Sequence, residues 1–78
     1  MDKITTATAL GALIRTTRKA QKLTQEQLAG QSGVGIRFLR ELESGKESSQ
    51  IGKAFQVLAM LGLEVRVGNR SDFSAGDK

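Results

Sequence analysis

The apolar positions of this chain recur over most of its length at the three- and four-residue spacing of amphipathic helices. The last apolar segment, residues 63–67, instead alternates strictly with polar residues, which is the pattern of a β-strand. We therefore predict a small all-α bundle that ends in one short strand. The expected helices cover residues 8–21, the interval between Thr24 and Gly33, residues 36–44 and residues 50–61.

The second helix has clear end signals. Thr24 is suited to the N-cap, and Gln27 stands three residues later at the reciprocal position of a capping box. Leu23 and Leu28 have the spacing of a hydrophobic staple across that cap. Gly33 suits the left-handed residue that closes the helix, so a tight glycine turn is expected before the third helix.

The first and fourth helices each present one apolar stripe. In the first helix this stripe contains Leu10, Leu13 and Ile14, and Arg18 falls at its next position. A charge at that position is costly unless it is paired. In the fourth helix, the side chains expected to point inward are Ile51, Phe55, Leu58 and Leu61.

The third helix separates apolar from polar residues around its axis. At about 100° per residue, Phe38, Leu39 and Leu42 share one side. Ile36 and Glu43 lie at the borders. The opposite side carries Arg37, Arg40, Glu41 and Ser44. Two short helices joined by a tight turn, with arginines on the free face of the second, are the layout of a helix-turn-helix that places a helix in the DNA major groove.

The charge balance agrees with this interpretation. The 78 residues carry 12 Lys and Arg against 8 Asp and Glu, a net charge of +4, which favours a polyanionic partner. Arg37 and Arg40 are then placed to reach guanine edges, and Ile36 to touch a thymine methyl. The alternative is an ordinary solvated helix face with Ile36 in border packing.

Other polar residues are candidates for supporting contacts. Gln25, in the first turn of the second helix, is placed to bind a phosphate and to support a base-reading side chain. Ser44 and Lys46 are placed to contact phosphates after the third helix. Glu41 either accepts a hydrogen bond from a cytosine amino group or limits non-specific binding.

Arg18 and Glu43 are expected to form a partly buried ion pair. Both lie at the edge of a core face, on helices that would pack together. The alternative is two unrelated surface charges. A buried pair need not add net stability, but removal of one partner leaves the other charge uncompensated.

Several classes of protein are disfavoured by composition. The chain has no Cys and no His, so neither a disulfide framework, a metal cluster nor an activated thiol or Ser–His pair is expected. We expect no catalytic residue and no cofactor. No apolar run is long enough for a membrane helix, and the N-terminus lacks the layout of a signal peptide, so a cytoplasmic location is expected.

Ordered motifs from residue 10 to about residue 63 resemble the XRE/Cro–phage-repressor family of helix-turn-helix regulators. They include Leu23-Thr-Gln, Ser32-Gly-Val and Leu39-x-x-Leu-Glu-x-Gly-Lys46. The resemblance implies a lambda-repressor-like fold and an internal ion pair at Arg18 and Glu43. It also implies DNA contacts at positions Gln25, Gly35, Ile36, Arg37 and Arg40. Gly35 departs from the family, which usually has Ser or Thr as the N-cap of the third helix.

The strand narrows the resemblance to HipB-like antitoxins, small dimeric repressors that bind a HipA-type kinase toxin. A lone strand leaves its backbone edges unpaired, and pairing with a second copy is the simplest remedy. In an antiparallel pair centred on Val65, Glu64 would face Arg66 of the other copy, while Leu63, Val65 and Val67 cover the helices. The alternative is a strand that folds back on its own domain or frays.

These observations predict a homodimeric repressor of a palindromic operator, and more narrowly an autoregulating antitoxin of a HipBA-type operon. A stand-alone regulator and an interaction module that has lost DNA binding are the alternatives. We expect residues 1–67 to form the DNA-binding domain, with the dimerisation strand at residues 63–67, and residues 68–78 to form a flexible tail. Within that tail, Phe73 is the one residue that could insert into a partner's groove; the alternative, which we favour, is that it is disordered.

Overall fold

The computed structural model describes residues 3–47 and 50–69. In this part of the chain it has four helices, each within one residue of the bounds predicted from the sequence. They are α1 (Ala7–Ala20), α2 (Gln25–Ser32), α3 (Ile36–Glu43) and α4 (Ile51–Met60). The all-α prediction is confirmed for the described residues.

The ends of α2 form as predicted. The Thr24 hydroxyl accepts a hydrogen bond from the Gln27 backbone N–H at 3.0 Å, and the Gln27 side-chain oxygen accepts from the Thr24 N–H at 2.8 Å. This reciprocal pair satisfies two N–H groups that the first turn of a helix otherwise leaves without partners. At the other end Gly33 has φ 75°, which is the left-handed conformation that glycine adopts without a steric penalty.

The core takes one fully buried large side chain from each helix. These four side chains, all with zero exposure, are Ile14, Leu28, Leu39 and Val57. The third helix packs against α1 and α2, while α2 also packs against α4. Because each helix buries its own residue at the same centre, α3 is held by the core on one side and leaves its other side exposed.

The backbones of α1 and α3 come unusually close at Gly11. A Cβ atom added to Gly11 would lie 2.8 Å from the Glu43 carbonyl oxygen and closer still to that of Leu42. Side-chain carbon atoms do not approach backbone oxygens to that distance. Only glycine therefore fits here, and its small size lets α1 contact the carboxyl end of α3 directly.

The prediction that Ile51 and Phe55 point inward is wrong. They are 58% and 48% exposed, and α4 instead buries a stripe formed by Ala54, Val57, Leu58 and Leu61. The predicted and the observed stripe both have helical spacing, because α4 carries apolar residues around most of its circumference. Periodicity alone could not choose between them.

Residues 63–67 form no strand in the single chain. Leu63 packs against the core, whereas Val65 and Val67 are 51% and 95% exposed and are not among the residues packed against it. Within this segment the Arg66 Nη2 lies 3.4 Å from the Glu64 Oε1 of the same chain. Since a strand exists only when its backbone pairs with another, an isolated segment of this kind stays irregular.

No helix in the described ranges is long and apolar enough to cross a membrane. Residues 70–78, and with them the predicted insertion of Phe73, lie outside the described residues.

Candidate nucleic-acid interface

The turn between α2 and α3 fixes the direction of the third helix. The Val34 N–H donates to the Ala29 carbonyl at 3.0 Å, and the Gly33 N–H donates to the Gly30 carbonyl at 3.3 Å. These are the two hydrogen bonds of a Schellman motif, and Val34 adds an apolar contact with the core. Three residues, 33–35, therefore separate the helices, and their geometry is set by the backbone.

The outer side of α3 is polar, basic and accessible. Leu39, Leu42 and Glu43 are buried on its inner side. Phe38, predicted to lie with them, is only half-buried. The residues predicted to face DNA divide into an exposed set, Gly35, Arg37, Arg40, Ser44 and Lys46, and a half-buried set, Gln25, Ile36 and Glu41.

Glu41 lies between two of the basic side chains. Its Oε2 is 3.5 Å from the Arg37 Nε and 3.2 Å from the Lys46 Nζ. The hydrogen bond from Lys46 lowers the pKa of the Glu41 carboxyl, which is therefore ionised at neutral pH. In this arrangement one carboxylate partly neutralises the positive charges of both Arg37, on the outer side of α3, and Lys46, just after the helix.

Arg40 differs from Arg37 in this respect. Arg40 is exposed and makes no ion pair within residues 3–47 and 50–69. The side chain of Arg37 is 90% exposed but has Glu41 one helical turn away. The positive charge of Arg37 is therefore partly neutralised by a neighbouring carboxylate, whereas that of Arg40 is not paired with any carboxylate among the described residues.

Arg18 and Glu43 form a buried ion pair beneath this surface. The Arg18 Nε donates to the Glu43 Oε2 at 2.7 Å and the Arg18 Nη2 to the Glu43 Oε1 at 3.1 Å, a two-pronged contact. The two side chains are only 9% and 4% exposed. The Arg18 Nη1 also donates to the Leu23 carbonyl at 2.7 Å, so the pair joins α1, the start of α2 and the end of α3.

Gln25 is attached to this ion pair. Its Nε2 donates to the Glu43 Oε1 at 3.1 Å. The amide nitrogen has a second N–H, and the side chain is half-exposed, so Gln25 can donate outward while it is held inward. The first residue of α2 is thereby positioned relative to the carboxyl end of α3.

One basic residue near this surface was not anticipated from the sequence. The Lys53 Nζ lies 5.7 Å from the centre of the Phe38 ring, a cation–π contact between α4 and α3. The two residues are far apart in the chain, and no local spacing signals their approach. Only the packing of α4 in the folded chain brings the ammonium group beside the third helix.

This combination of fold and surface defines a class of protein. A tight turn holds a short helix against the core of a four-helix bundle; the outer side of that helix carries two arginines, and Lys46 follows shortly after its end. The arrangement is that of helix-turn-helix DNA-binding domains.

Residues 14–67 match the helix-turn-helix family designated HTH_3, and the chain belongs to that family of transcriptional regulators. It is 49% identical over 65 residues to the uncharacterised HTH-type transcriptional regulator y4mF of Sinorhizobium fredii, a match that spans 83% of this chain and 86% of the relative.

Among solved structures, the fold is similar to HipB in two complexes. HipB with an O4 20mer superimposes with a TM-score of 0.79 over 90% of this chain and 99% of HipB, at 21% identity. The corresponding chain in a HipA-HipB-O2-O3 complex gives a TM-score of 0.80, with the same coverage and identity. At this level of identity the similarity shows a shared fold.

Proposed function

We propose that this chain is a sequence-specific transcriptional repressor that acts in the cytoplasm and places α3 in the major groove of its operator. The observation that carries the proposal is the outer side of α3, where Arg37 and Arg40 are exposed on a helix fixed by the core. Arginine binds guanine through two parallel hydrogen bonds, which gives base selection in addition to charge. Gln25, Ser44 and Lys46 contribute phosphate contacts that set the position of the helix.

The repressor acts as a homodimer that joins two copies through residues 63–67. Val65 and Val67 are exposed in the single chain, and an antiparallel partner strand would cover them while it satisfies the backbone groups of the segment. The Glu64 and Arg66 side chains are paired within the single chain. In the dimer, Glu64 of each copy would instead pair with Arg66 of the other copy. Residues 1–67 then form the functional domain, and a two-fold dimer calls for a palindromic operator.

Within this function, the narrower proposal is an antitoxin that represses its own operon and binds a HipA-type kinase toxin. The support is the similarity in fold to HipB, and one of the similar structures is a complex of HipB with HipA. A regulator that acts alone is the second candidate, and the 49% identical relative is itself named only as a transcriptional regulator.

Fluorescence anisotropy tests the DNA-binding proposal. The protein is titrated against labelled DNA from upstream of its own gene and against a scrambled duplex, at two salt concentrations. We expect tighter binding to the upstream DNA and a steep loss of affinity with salt, because several phosphates are neutralised. Lys19→Ala, which removes an exposed α1 charge that is not among the residues assigned to the interface, is the matched control and should bind as the parent does. Equal, weak binding to both duplexes would reject a sequence-specific repressor.

The antitoxin proposal needs its own test. The purified product of the gene adjacent to this one is mixed with the chain and examined by size-exclusion chromatography. Co-elution at a fixed ratio, with inhibition of kinase activity, is expected of an antitoxin. If operator binding is present and co-elution is absent, the chain is a stand-alone regulator.

A further inference from the structure

Glu41 is held in place among the basic residues of the proposed interface by the way α3 ends. Gly45 adopts φ 87°, and the chain turns so that the Lys46 N–H donates to the Glu41 carbonyl at 3.1 Å. The Ser44 hydroxyl donates to the same carbonyl at 2.7 Å. The backbone therefore brings Lys46 back beside Glu41. The contact between their side chains follows from the way the backbone turns at the end of α3.

The two ion pairs of Glu41 occupy cations that would otherwise be available to DNA phosphates. Arg37 and Lys46 meet at one carboxylate oxygen, Oε2, at 3.5 and 3.2 Å. Both cations keep further N–H groups, but a phosphate that approaches them meets a positive charge that the carboxylate has already partly neutralised, and is itself repelled by that carboxylate. Arg40, which has no such partner in the described part of the chain, is not subject to this competition.

We infer that Glu41 is a specificity-determining residue that acts as an internal substitute for phosphate and thereby weakens binding to non-cognate DNA. The inference rests on the proposed DNA-binding function. On random DNA, phosphate contacts supply nearly all of the binding free energy, so a built-in competitor removes a large share of it. On the operator, Arg37 can turn to a base edge, and base contacts offset the loss of the ion pair. Glu41 therefore increases the difference in affinity between the operator and non-cognate DNA.

This role differs in its consequences from direct base reading by Glu41. If the carboxylate accepted a hydrogen bond from a cytosine amino group, its loss would weaken operator binding and leave random DNA unaffected. A competitor predicts the opposite: its loss strengthens binding to random DNA and leaves the operator less changed. A single substitution separates the two.

The test compares Glu41→Gln with Glu26→Gln in the full chain. Both substitutions remove one negative charge from the helix-turn-helix and keep the shape of the side chain. Glu26 is exposed at the start of α2 and makes no ion pair in the described ranges, so its replacement removes a negative charge without releasing a paired cation. Circular dichroism confirms that each variant is folded. The probes are a mixed-sequence duplex, the upstream DNA and heparin, a polyanion without base edges.

For Glu41→Gln we expect affinity for the mixed duplex to rise roughly three- to tenfold at low salt, in line with the release of two exposed ion pairs. The slope of log affinity against log salt should steepen by about 0.9 for each additional phosphate neutralised. Elution from heparin should shift to higher salt, and the preference for upstream DNA should fall. Glu26→Gln should show a smaller rise.

Three results would overturn the inference. Unchanged affinity for the mixed duplex would mean that Glu41 does not compete with phosphate. An equal rise in Glu26→Gln would assign the effect to net charge, and a selective loss on the upstream DNA would assign Glu41 to base reading. Failure of the parent protein to prefer upstream DNA would instead reject the proposed function, and the heparin measurement still reports the competition in that case.

Discussion

Replacement of Glu43 by alanine is the most demanding test of how this structure holds its third helix. The Glu43 carboxylate accepts hydrogen bonds from the Arg18 Nε, the Arg18 Nη2 and the Gln25 Nε2. The substitution leaves the Arg18 guanidinium, in a side chain only 9% exposed, without a counter-charge. Breaking a buried pair in this way costs about 3–5 kcal/mol.

That loss is large relative to the stability of the whole chain. A 78-residue domain has an unfolding free energy of roughly 4–12 kcal/mol. Urea denaturation followed by circular dichroism, at one fixed protein concentration, measures the change. With a denaturant slope of about 1 kcal/mol per molar, the midpoint should fall by roughly 3–5 M. Glu47→Ala, at an exposed carboxylate, is the control and should change stability by less than about 0.5 kcal/mol.

A double variant distinguishes the cost of a stranded charge from the value of the pair. Arg18→Met combined with Glu43→Leu removes both charges, and apolar pairs of similar volume often match buried ion pairs in stability. We therefore expect the double variant to be more stable than Glu43→Ala. A loss of less than about 1 kcal/mol in Glu43→Ala would refute the reasoning, because it would show that water compensates Arg18 in the native state.

Five further substitutions test other features. Arg37→Ala and Arg40→Ala should each weaken operator binding by about 1–3 kcal/mol in anisotropy titrations, with unchanged circular dichroism; unaltered affinity in both would place the interface elsewhere. Gly11→Ala should destabilise the fold by about 1–3 kcal/mol in thermal unfolding, since its Cβ would meet the backbone of α3, whereas Gly30→Ala, with open space around it, should stabilise α2 by about 0.5–1 kcal/mol. Val65→Lys should shift the chain toward monomer in sedimentation experiments, and an unchanged dimer would move the interface away from residues 63–67.

The helices could be predicted from the sequence because their ends are determined by residues close together in the chain. Thr24, Gln27 and Gly33 form a capping box and a left-handed turn through contacts that span only a few residues. The division of α3 into an inner and an outer side follows in the same way from helical geometry. These parts of the fold depend little on what surrounds them.

Other features depend on which surfaces meet, and these the sequence could not specify. The side of α4 that is buried was mispredicted, because Ile51 and Phe55 compete with an equally spaced stripe. The contact of Glu41 with Lys46 depends on the path of the chain after Gly45, which helical spacing does not describe. The segment 63–67 has no partner strand among the described residues, so the pairing proposed for it depends on a second copy of the chain.

The two ends of α3 are held unequally, which has a consequence for how such a protein diverges. The carboxyl end is fixed by the backbone approach at Gly11 and by the Arg18–Glu43 pair, whereas the amino end begins at Gly35 without a side-chain cap. Under the proposed function, substitutions at the exposed Gly35 and Arg37 would alter which bases are contacted and disturb few interactions that the fold requires. Duplicated copies of such a gene would then acquire new operators by changes at Gly35 and Arg37, while selection for folding acts mainly on the opposite end of the same helix.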